Sequence, residues 1–337
     1  MARVAINGLG RIGKMVLWHY FENKPKNIEI VVANGGSGTP EDLAYMLKFD
    51  SVHGRFPVTV EYTDDSLIID GKEIKIVSER DPAKLPWKEM GIDIVIEATG
   101  KFTEKSKAAK HIEAGAKKVI ITAPGKNVDH TFVLGVNEHE YDPNNHHIVS
   151  NASCTTNSLA PVMKILEDEF GVESALVTTV HAYTSSQVTI DKKKPGKHRR
   201  GRAAAINIIP TTTGAAKATV EVIPTLKGKM HAMALRVPVA DVAITDISVT
   251  LKQETTSDEL NKKFEEYANS KMKGILGITY EEVVSSDMIG NTNSSTIDAL
   301  STSVVDGNKA KILTWYDNEF GYSKRVLELT ELIASKL

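Results

Sequence analysis

The chain has 337 residues, enough for one large or two ordinary domains with substantial cores. Its 41 basic and 43 acidic residues leave a formal charge of −2, which excludes broad binding to nucleic acid or anionic membranes as a main activity. No apolar run approaches the ~18 residues of a spanning helix, and one cysteine excludes an internal disulfide and a cysteine-rich metal centre, so no metal is expected.

The N-terminus, "MARVAINGLGRIG", enters a strand pattern at once and carries no secretory apolar region, so a cytoplasmic location is expected. Arg3 to Asn7 reads as a short buried strand, "GLGRIG" (Gly8 to Gly13) as a tight turn, and "KMVLWHYFEN" as a helix. "IEIVVAN" (Ile28 to Asn34), "IDIVIEATG" (Ile92 to Gly100) and "KKVIITAPG" are β-branched runs, with a helical stretch from Glu104 to Ala114 between the last two. Residues 62–77 read as a hairpin turning at "DGKE". Such alternation predicts a Rossmann-type parallel sheet covered on both faces, an α/β architecture.

The pattern changes after "HHIVSNASC". A helix starts near Thr155, with Pro161 tolerable if it falls in the first turn. "ESALVTTVHAYT" and "KMHAMALRVPVADVAITDISVTL" are long strands, and "SDELNKKFEEYANSKM" is a helix with Ser257 as its N-cap signal. This half reads as α+β with an antiparallel sheet. "YSKRVLELTELIASKL" is an amphipathic helix expected to return to the first domain. The expected division is a dinucleotide-binding domain over 1–153 with the C-terminal helix 319–337, and a catalytic domain over 154–318.

"GLGRIG" stands directly between a strand and a helix. Its glycines permit a tight turn and close approach of backbone to a pyrophosphate at the helix N-terminus. A tight βα turn without ligand is the plainer reading; the alternating context favours the dinucleotide. An acid at the end of the second strand would read the ribose 2′-hydroxyl, but the sequence there is "VVANGGSGTPED". Asn34, Gly35, Gly36 and Ser37 stand where an acid should be, and Glu41 and Asp42 read as helix-opening charges. With no carboxylate to oppose a 2′-phosphate, NADP is expected to be accepted as well as NAD.

Cys154 follows Ser153 and precedes Thr155, Thr156 and Asn157, then Leu159, Val162, Met163 and Leu166 fall at helical spacing. A lone cysteine is commonly a buried small hydrophobe. Here the thiol lies at a helix N-terminus, where the partial positive charge favours thiolate. A partner base is needed. His181 ends the buried run "ALVTTVH", while His146, His147 and His231 are less constrained.

"SNASCTTN", "TTVHAYT", "RRGRAAAINIIPTTTGAAKA", "ALRVP" and "WYDNEFGYS" together resemble the phosphorylating glyceraldehyde-3-phosphate dehydrogenases, over nearly the whole chain. The resemblance implies Cys154 as nucleophile and His181 as its base, working through a thiohemiacetal and a thioester that inorganic phosphate cleaves. It implies a substrate-phosphate site at Thr184 and Arg236, with Ser186 beside them. It implies an attacking-phosphate site at Thr155, Thr213, Gly214 and Arg200, with Ser153 adjacent. Gly8, Gly10, Arg11, Ile12, Gly13, Asn34, Gly35, Ser37, Thr99, Thr122, Asn318 and Tyr322 are the implied cofactor contacts for NAD or NADP. A homotetramer is implied, with no membrane or nucleic-acid partner. Erythrose-4-phosphate dehydrogenase is the alternative activity.

Three positions depart from the commonest family pattern. Gly35 and Ser186 each stand where an aspartate is frequent, and "DKKKPGKHRRGR" (Asp191 to Arg202) is far more basic and looks slightly longer. One reading of that loop is a solvated charge run. The other has Lys192, Lys193 or Lys194 holding a 2′-phosphate in a neighbouring subunit's cofactor pocket.

Overall fold

A computed structural model describes residues 1–337. The chain forms two compact units, each described separately. The first comprises Met1–Phe132, Asn137–Ser153 and Ser323–Leu337; the second comprises Val133–Val136 and Cys154–Tyr322.

The first unit is built on a nine-stranded sheet in the order His130–Thr131, Ile148–Ser150, Lys118–Ile121, Ile94–Glu97, Ala2–Asn7, Ile28–Asn34, Lys72–Val77, Ser66–Ile69, Val60–Tyr62. The first seven strands run parallel, and only the last two pairings are antiparallel. The expected hairpin is present between Ser66–Ile69 and Lys72–Val77. Asp70 and Gly71 both take left-handed φ, 50° and 75°, as a two-residue hairpin turn matching strand twist requires. Lys72–Val77 also pairs parallel with Ile28–Asn34, so the hairpin extends the main sheet. The central strands are apolar throughout because both faces are covered; Ala5, Val32, Val95 and Trp87 form part of one buried cluster.

Helix Arg11–Asn23 follows the glycine turn, and Pro40–Lys48 opens with a capping box in which Thr39 and Asp42 satisfy each other's backbone N–H. Glu41 and Asp42 are therefore helix-opening charges, as their position suggests. From Ser323 onward the C-terminal helix Phe320–Ala334 belongs to this unit, where the Asn27 amide donates to the Glu331 carbonyl at 2.8 Å.

The second unit carries an eight-stranded sheet in the order Ile209–Thr212, Met230–Val237, Val172–Ala182, Ala243–Leu251, Lys309–Tyr316, Ser295–Asp298, Leu276–Thr279, with Ser303–Val305 beside Lys309–Tyr316. It is mainly antiparallel, but Val172–Ala182 runs parallel to Met230–Val237, and Leu276–Thr279 parallel to Ser295–Asp298. The cysteine helix spans Cys154–Phe170. Pro161 sits two turns inside it rather than in the first turn, so the Asn157 carbonyl loses its usual i+4 donor. Helix Ser257–Ala268 is capped by Thr256, not Ser257: the Thr256 hydroxyl accepts from the Glu259 N–H and Glu259 returns the bond. The serine lies one residue too late because its backbone is already helical.

The glycine turn is sterically committed. Gly8 has φ +105°, and a β-carbon there would lie 2.9 Å from the Thr99 side chain. At Gly13 it would lie 2.1 Å from the Gly8 carbonyl oxygen. Gly13→Ala therefore forces the turn apart. The expected result is an NAD affinity lowered by about tenfold or more, read by isothermal titration calorimetry.

Candidate active site and dinucleotide groove

Strand register brings together the candidate catalytic groups of the second unit. His181, near the end of Val172–Ala182, is in register with Arg236 on the parallel neighbour and with Ala243 on the antiparallel one. Ala243 is in turn opposite Tyr316. The Tyr316 ring lies edge-on to the His181 ring, centroids 5.9 Å apart.

Cys154 begins its helix directly after a sharp reversal in which Ala152, a residue with a β-carbon, takes φ 55°. Its sulfur is 3.5 Å from His181 Nε2. The Cys154 residue is partly exposed. Two groups meet the opposite ring nitrogen: Arg236 Nη1 at 2.7 Å and the Ala182 carbonyl at 2.8 Å. The same Arg236 nitrogen donates to the Ala182 carbonyl at 2.7 Å. When Nδ1–H donates to the Ala182 carbonyl, Nε2 keeps its lone pair towards the sulfur and can accept its proton.

The electrostatics correct one expectation. Burial pushes the Cys154 thiol up, and the Arg236 guanidinium and donors at Thr155 offset this only in part. Burial, then the charge of Arg236, lowers His181 to about 3. In this arrangement the pair is thiol and neutral imidazole, not thiolate and imidazolium. The helix terminus is outweighed because desolvation penalises the anion over the whole sulfur, whereas the terminus contributes only partial charges.

Beneath the pair, the Tyr316 hydroxyl bonds the Thr155 hydroxyl at 3.0 Å and the Thr179 hydroxyl at 2.8 Å. This ties the first turn of the cysteine helix to the histidine strand. Thr155, an implied phosphate contact, thus has its hydroxyl engaged internally. Arg200 is held by the Thr211 hydroxyl at 2.8 Å and the Thr212 carbonyl at 3.0 Å, the Thr213 hydroxyl accepts from the Ala215 N–H, and Gly214 caps helix Ala215–Val222. The Thr184 and Ser186 hydroxyls meet at 2.9 Å. Ser153 immediately precedes the cysteine helix. The Nε of Arg236 is buried without a partner, a state that a polar ligand would relieve.

In the first unit, a groove of about 610 Å³ runs over the glycine turn, lined by Asn7, Gly8, Gly10, Asn34, Gly35, Ser37, Arg80 and Thr99 among others. Gly10 caps helix Arg11–Asn23 without any side-chain bond, and Arg11, Ile12 and Gly13 form the first turn, the end of the helix that favours an anion. The residues fit a pyrophosphate. Arg11 offers only main chain, because its guanidinium pairs with Asp50. Burial would raise the Asp50 carboxyl, but Arg11 and two backbone donors hold it well below the usual range.

Asn34 is turned inward: its amide donates to Asn7 and to the Glu79 carbonyl, both at 2.7 Å. Beside it Gly35 packs on Leu43, whose Cδ1 lies 2.5 Å from where a β-carbon would sit. Thr99 donates its hydroxyl to Glu97, and Thr122 donates to the Glu97 carbonyl at 3.1 Å, outside the groove lining. In the second unit Asn318 keeps a buried Oδ1 with no partner, the acceptor that a carboxamide N–H₂ requires, and Tyr322 is buried four residues on.

Sequence reasoning missed the floor of the groove. Buried Glu97 accepts from Asn7, from the Thr99 N–H at 2.9 Å and its hydroxyl, and from His111 Nε2 at 3.1 Å. Trp87 donates to His111 Nδ1 at 3.0 Å, which fixes the proton on Nε2. The signal available was a glutamate interrupting an apolar strand, "IVIE". Tyr316 was also missed as a positioning residue.

Family models match both halves of the chain: the NAD binding domain of glyceraldehyde 3-phosphate dehydrogenase over residues 2–105, and its C-terminal domain over residues 153–318. The chain belongs to the glyceraldehyde-3-phosphate dehydrogenase family. Among family members, glyceraldehyde-3-phosphate dehydrogenase 2 of Bacillus subtilis is 52% identical, the match covering 99% of this chain and 97% of that protein. The enzyme of Geobacillus stearothermophilus is also 52% identical, over 99% and 98%. That of Streptomyces coelicolor is 51% identical over 99% of both. As a family member the chain is an oxidoreductase with an NAD-binding domain.

The depressed His181 has a consequence for stability. Folded, it binds fewer protons than the unfolded chain, so acid favours unfolding once pH drops below the ordinary value of 6.5, and the loss continues towards about 3. Between pH 7 and pH 5 this costs about 2 kcal/mol. Urea unfolding of His181→Asn is expected to show a loss smaller by that amount over the same interval; equal losses would contradict the depressed value.

Proposed function

We propose that the chain catalyses the reversible, NAD(P)-dependent oxidative phosphorylation of glyceraldehyde 3-phosphate to 1,3-bisphosphoglycerate, with Cys154 as nucleophile. The observation that carries this reading is the Cys154 sulfur 3.5 Å from His181 Nε2, with Arg236 on the same imidazole. The sulfur adds to the aldehyde carbon and His181 takes the thiol proton, giving a thiohemiacetal whose oxygen His181 steadies. Bound NAD(P) supplies an oxidised pyridine ring that accepts hydride from that carbon. Cys154 then carries the acyl group as a thioester. Inorganic phosphate, held by Arg200 with Thr213, the Gly214 main chain, Thr155 and Ser153, attacks the carbonyl; the C–S bond breaks and the acyl phosphate leaves.

Arg236 links binding to activation. The substrate phosphate, held by Arg236, Thr184 and Ser186, offsets the positive charge that helps to depress His181. The imidazole becomes a better base when substrate is seated. Asn318 orients the nicotinamide carboxamide, with Tyr322 packing nearby, and Asn7, Gly8, Gly10 and Thr99 hold the rest of the dinucleotide.

NADP acceptance is part of the proposal. It is supported by a groove end with Ser37, Ser78 and Arg80 and no side-chain carboxylate at residue 35. A homotetramer is supported by Leu176, Ile206 and Ile208, which are 68%, 80% and 68% exposed within one chain. The reversible reaction serves glycolysis in one direction and gluconeogenesis in the other, in the cytoplasm.

Cofactor reduction with glyceraldehyde 3-phosphate tests the activity. Withholding inorganic phosphate is expected to stall turnover after the acyl-enzyme burst, and Cys154→Ser to abolish it; a phosphate-indifferent rate would sink the phosphorylating step. Erythrose 4-phosphate is expected to be the poorer substrate.

Gly35→Asp is expected to shift the NADP/NAD ratio of kcat/KM towards NAD by about tenfold. Because the new β-carbon meets Leu43, the shift is read in the Leu43→Ala background as well, and an unchanged ratio in both would remove residue 35 from cofactor choice.

A further inference from the structure

The basic stretch Asp191–Arg202 is a folded loop. The Lys192 N–H donates to the Gly201 carbonyl at 2.8 Å, and a β-carbon at Gly201 would lie 2.3 Å from the Lys192 carbonyl oxygen, so this closure requires glycine. Asp191 takes the Arg202 guanidinium at 2.8 Å and the Ala203 N–H at 2.9 Å. Lys192, Lys193 and Lys197 are exposed, as a solvated charge run would be. Lys194 is different. It is partly buried, and its ammonium donates to the Ser186 carbonyl.

That carbonyl lies in the segment carrying Thr184 and Ser186. At the start of the segment Arg236 donates to the Ala182 carbonyl. A guanidinium and an ammonium, from distant parts of the chain, thus anchor to the two ends of the five-residue segment Ala182–Ser186. Ser186 itself brings no charge. Next to it the Gln187 carboxamide has both polar atoms buried without a partner, and Arg236 Nε is in the same state. A polar ligand would satisfy these atoms. Lys194 has two further N–H groups beyond the one given to Ser186. The Thr184 and Ser186 hydroxyls, 2.9 Å apart, lie in the segment that these two cations anchor, a set of groups suited to a dianion.

We propose that Lys194 is a further ligand of the substrate phosphate, so that the loop selects phosphorylated over unphosphorylated aldehydes. The proposal rests on the reading of Thr184 and Arg236 as the substrate-phosphate site. It assigns Lys194 to the aldehyde substrate rather than to a cofactor 2′-phosphate.

The experiment compares glyceraldehyde 3-phosphate with glyceraldehyde, in the wild type and in Lys194→Met, as the assembled enzyme with saturating NAD. The loss of one charge-assisted bond is expected to lower kcat/KM for the phosphorylated aldehyde by about 10- to 100-fold. Turnover of glyceraldehyde and the KM values for inorganic phosphate, NAD and NADP are expected to stay within about twofold. Lys194→Arg, which keeps the charge, is expected to recover most of the loss. A loss shared equally by both aldehydes in Lys194→Met and in the milder Lys194→Gln would overturn the proposal in favour of a loop-folding role. So would a loss confined to NADP, or no loss at all. A wild type that does not prefer the phosphorylated aldehyde would instead overturn the underlying site assignment.

Discussion

The register between His181 and Arg236 is the constraint on which the catalytic unit depends. Two parallel strands, Val172–Ala182 and Met230–Val237, are aligned so that imidazole and guanidinium stand side by side at their ends. A one-residue slip of either strand would turn its own side chain to the opposite face of the sheet and part the pair. Everything chemical follows from that alignment. The Ala182 carbonyl sets which ring nitrogen carries the proton, and the arginine together with burial depresses the ring's basicity. The same guanidinium keeps an unpartnered buried N–H. One side chain therefore lowers the basicity of the imidazole and, in the proposed reading, offers a donor to the anion that would offset this.

Tyr316 keeps the nucleophile matched to this alignment. Its hydroxyl bridges Thr155 on the cysteine helix and Thr179 on the histidine strand, both buried. Small Ala243 stands between Tyr316 and His181 in the same row, which lets the aromatic ring reach the imidazole. The cysteine is thus registered against the histidine by a hydrogen-bonded polar bridge, where a purely apolar contact would define distance but not direction.

Much of this was legible in the sequence. The strand–glycine–helix opening, the β-branched alternation and the hairpin at Asp70–Gly71 have local causes in turn sterics and side-chain period, and they appear in the fold where the residues put them. Cys154 at a helix start could also be read, since small polar residues precede an apolar helical stripe. The thiol's protonation could not, because it is decided by burial and by Arg236, 82 positions away in the chain. Nor could the parallel pairing of Val172–Ala182 with Met230–Val237, since alternation indicates a strand and not its neighbour's direction. Thr256 displaced Ser257 as cap because two adjacent hydroxyl residues give the same local signal, and only the bond to Glu259 separates them. The inward turn of Lys194 is likewise tertiary: the four lysines in the six positions 192–197 look alike until the closure at Gly201 aims one of them.

The dinucleotide unit solves a different problem, that of an acid under a groove meant for a polyanion. Glu97 is buried at the end of its strand and accepts from Asn7, Thr99 and His111, so its charge is spread over fixed donors and stiffens the walls. The chain of bonds ends at the Trp87 indole, which is wholly enclosed. Any shift in Asn7 or Thr99 passes through the carboxylate to the imidazole that accepts the indole proton. Trp87 is thereby an intrinsic fluorophore coupled to the floor of the groove, and its emission colour and lifetime carry a record of occupancy without any attached dye.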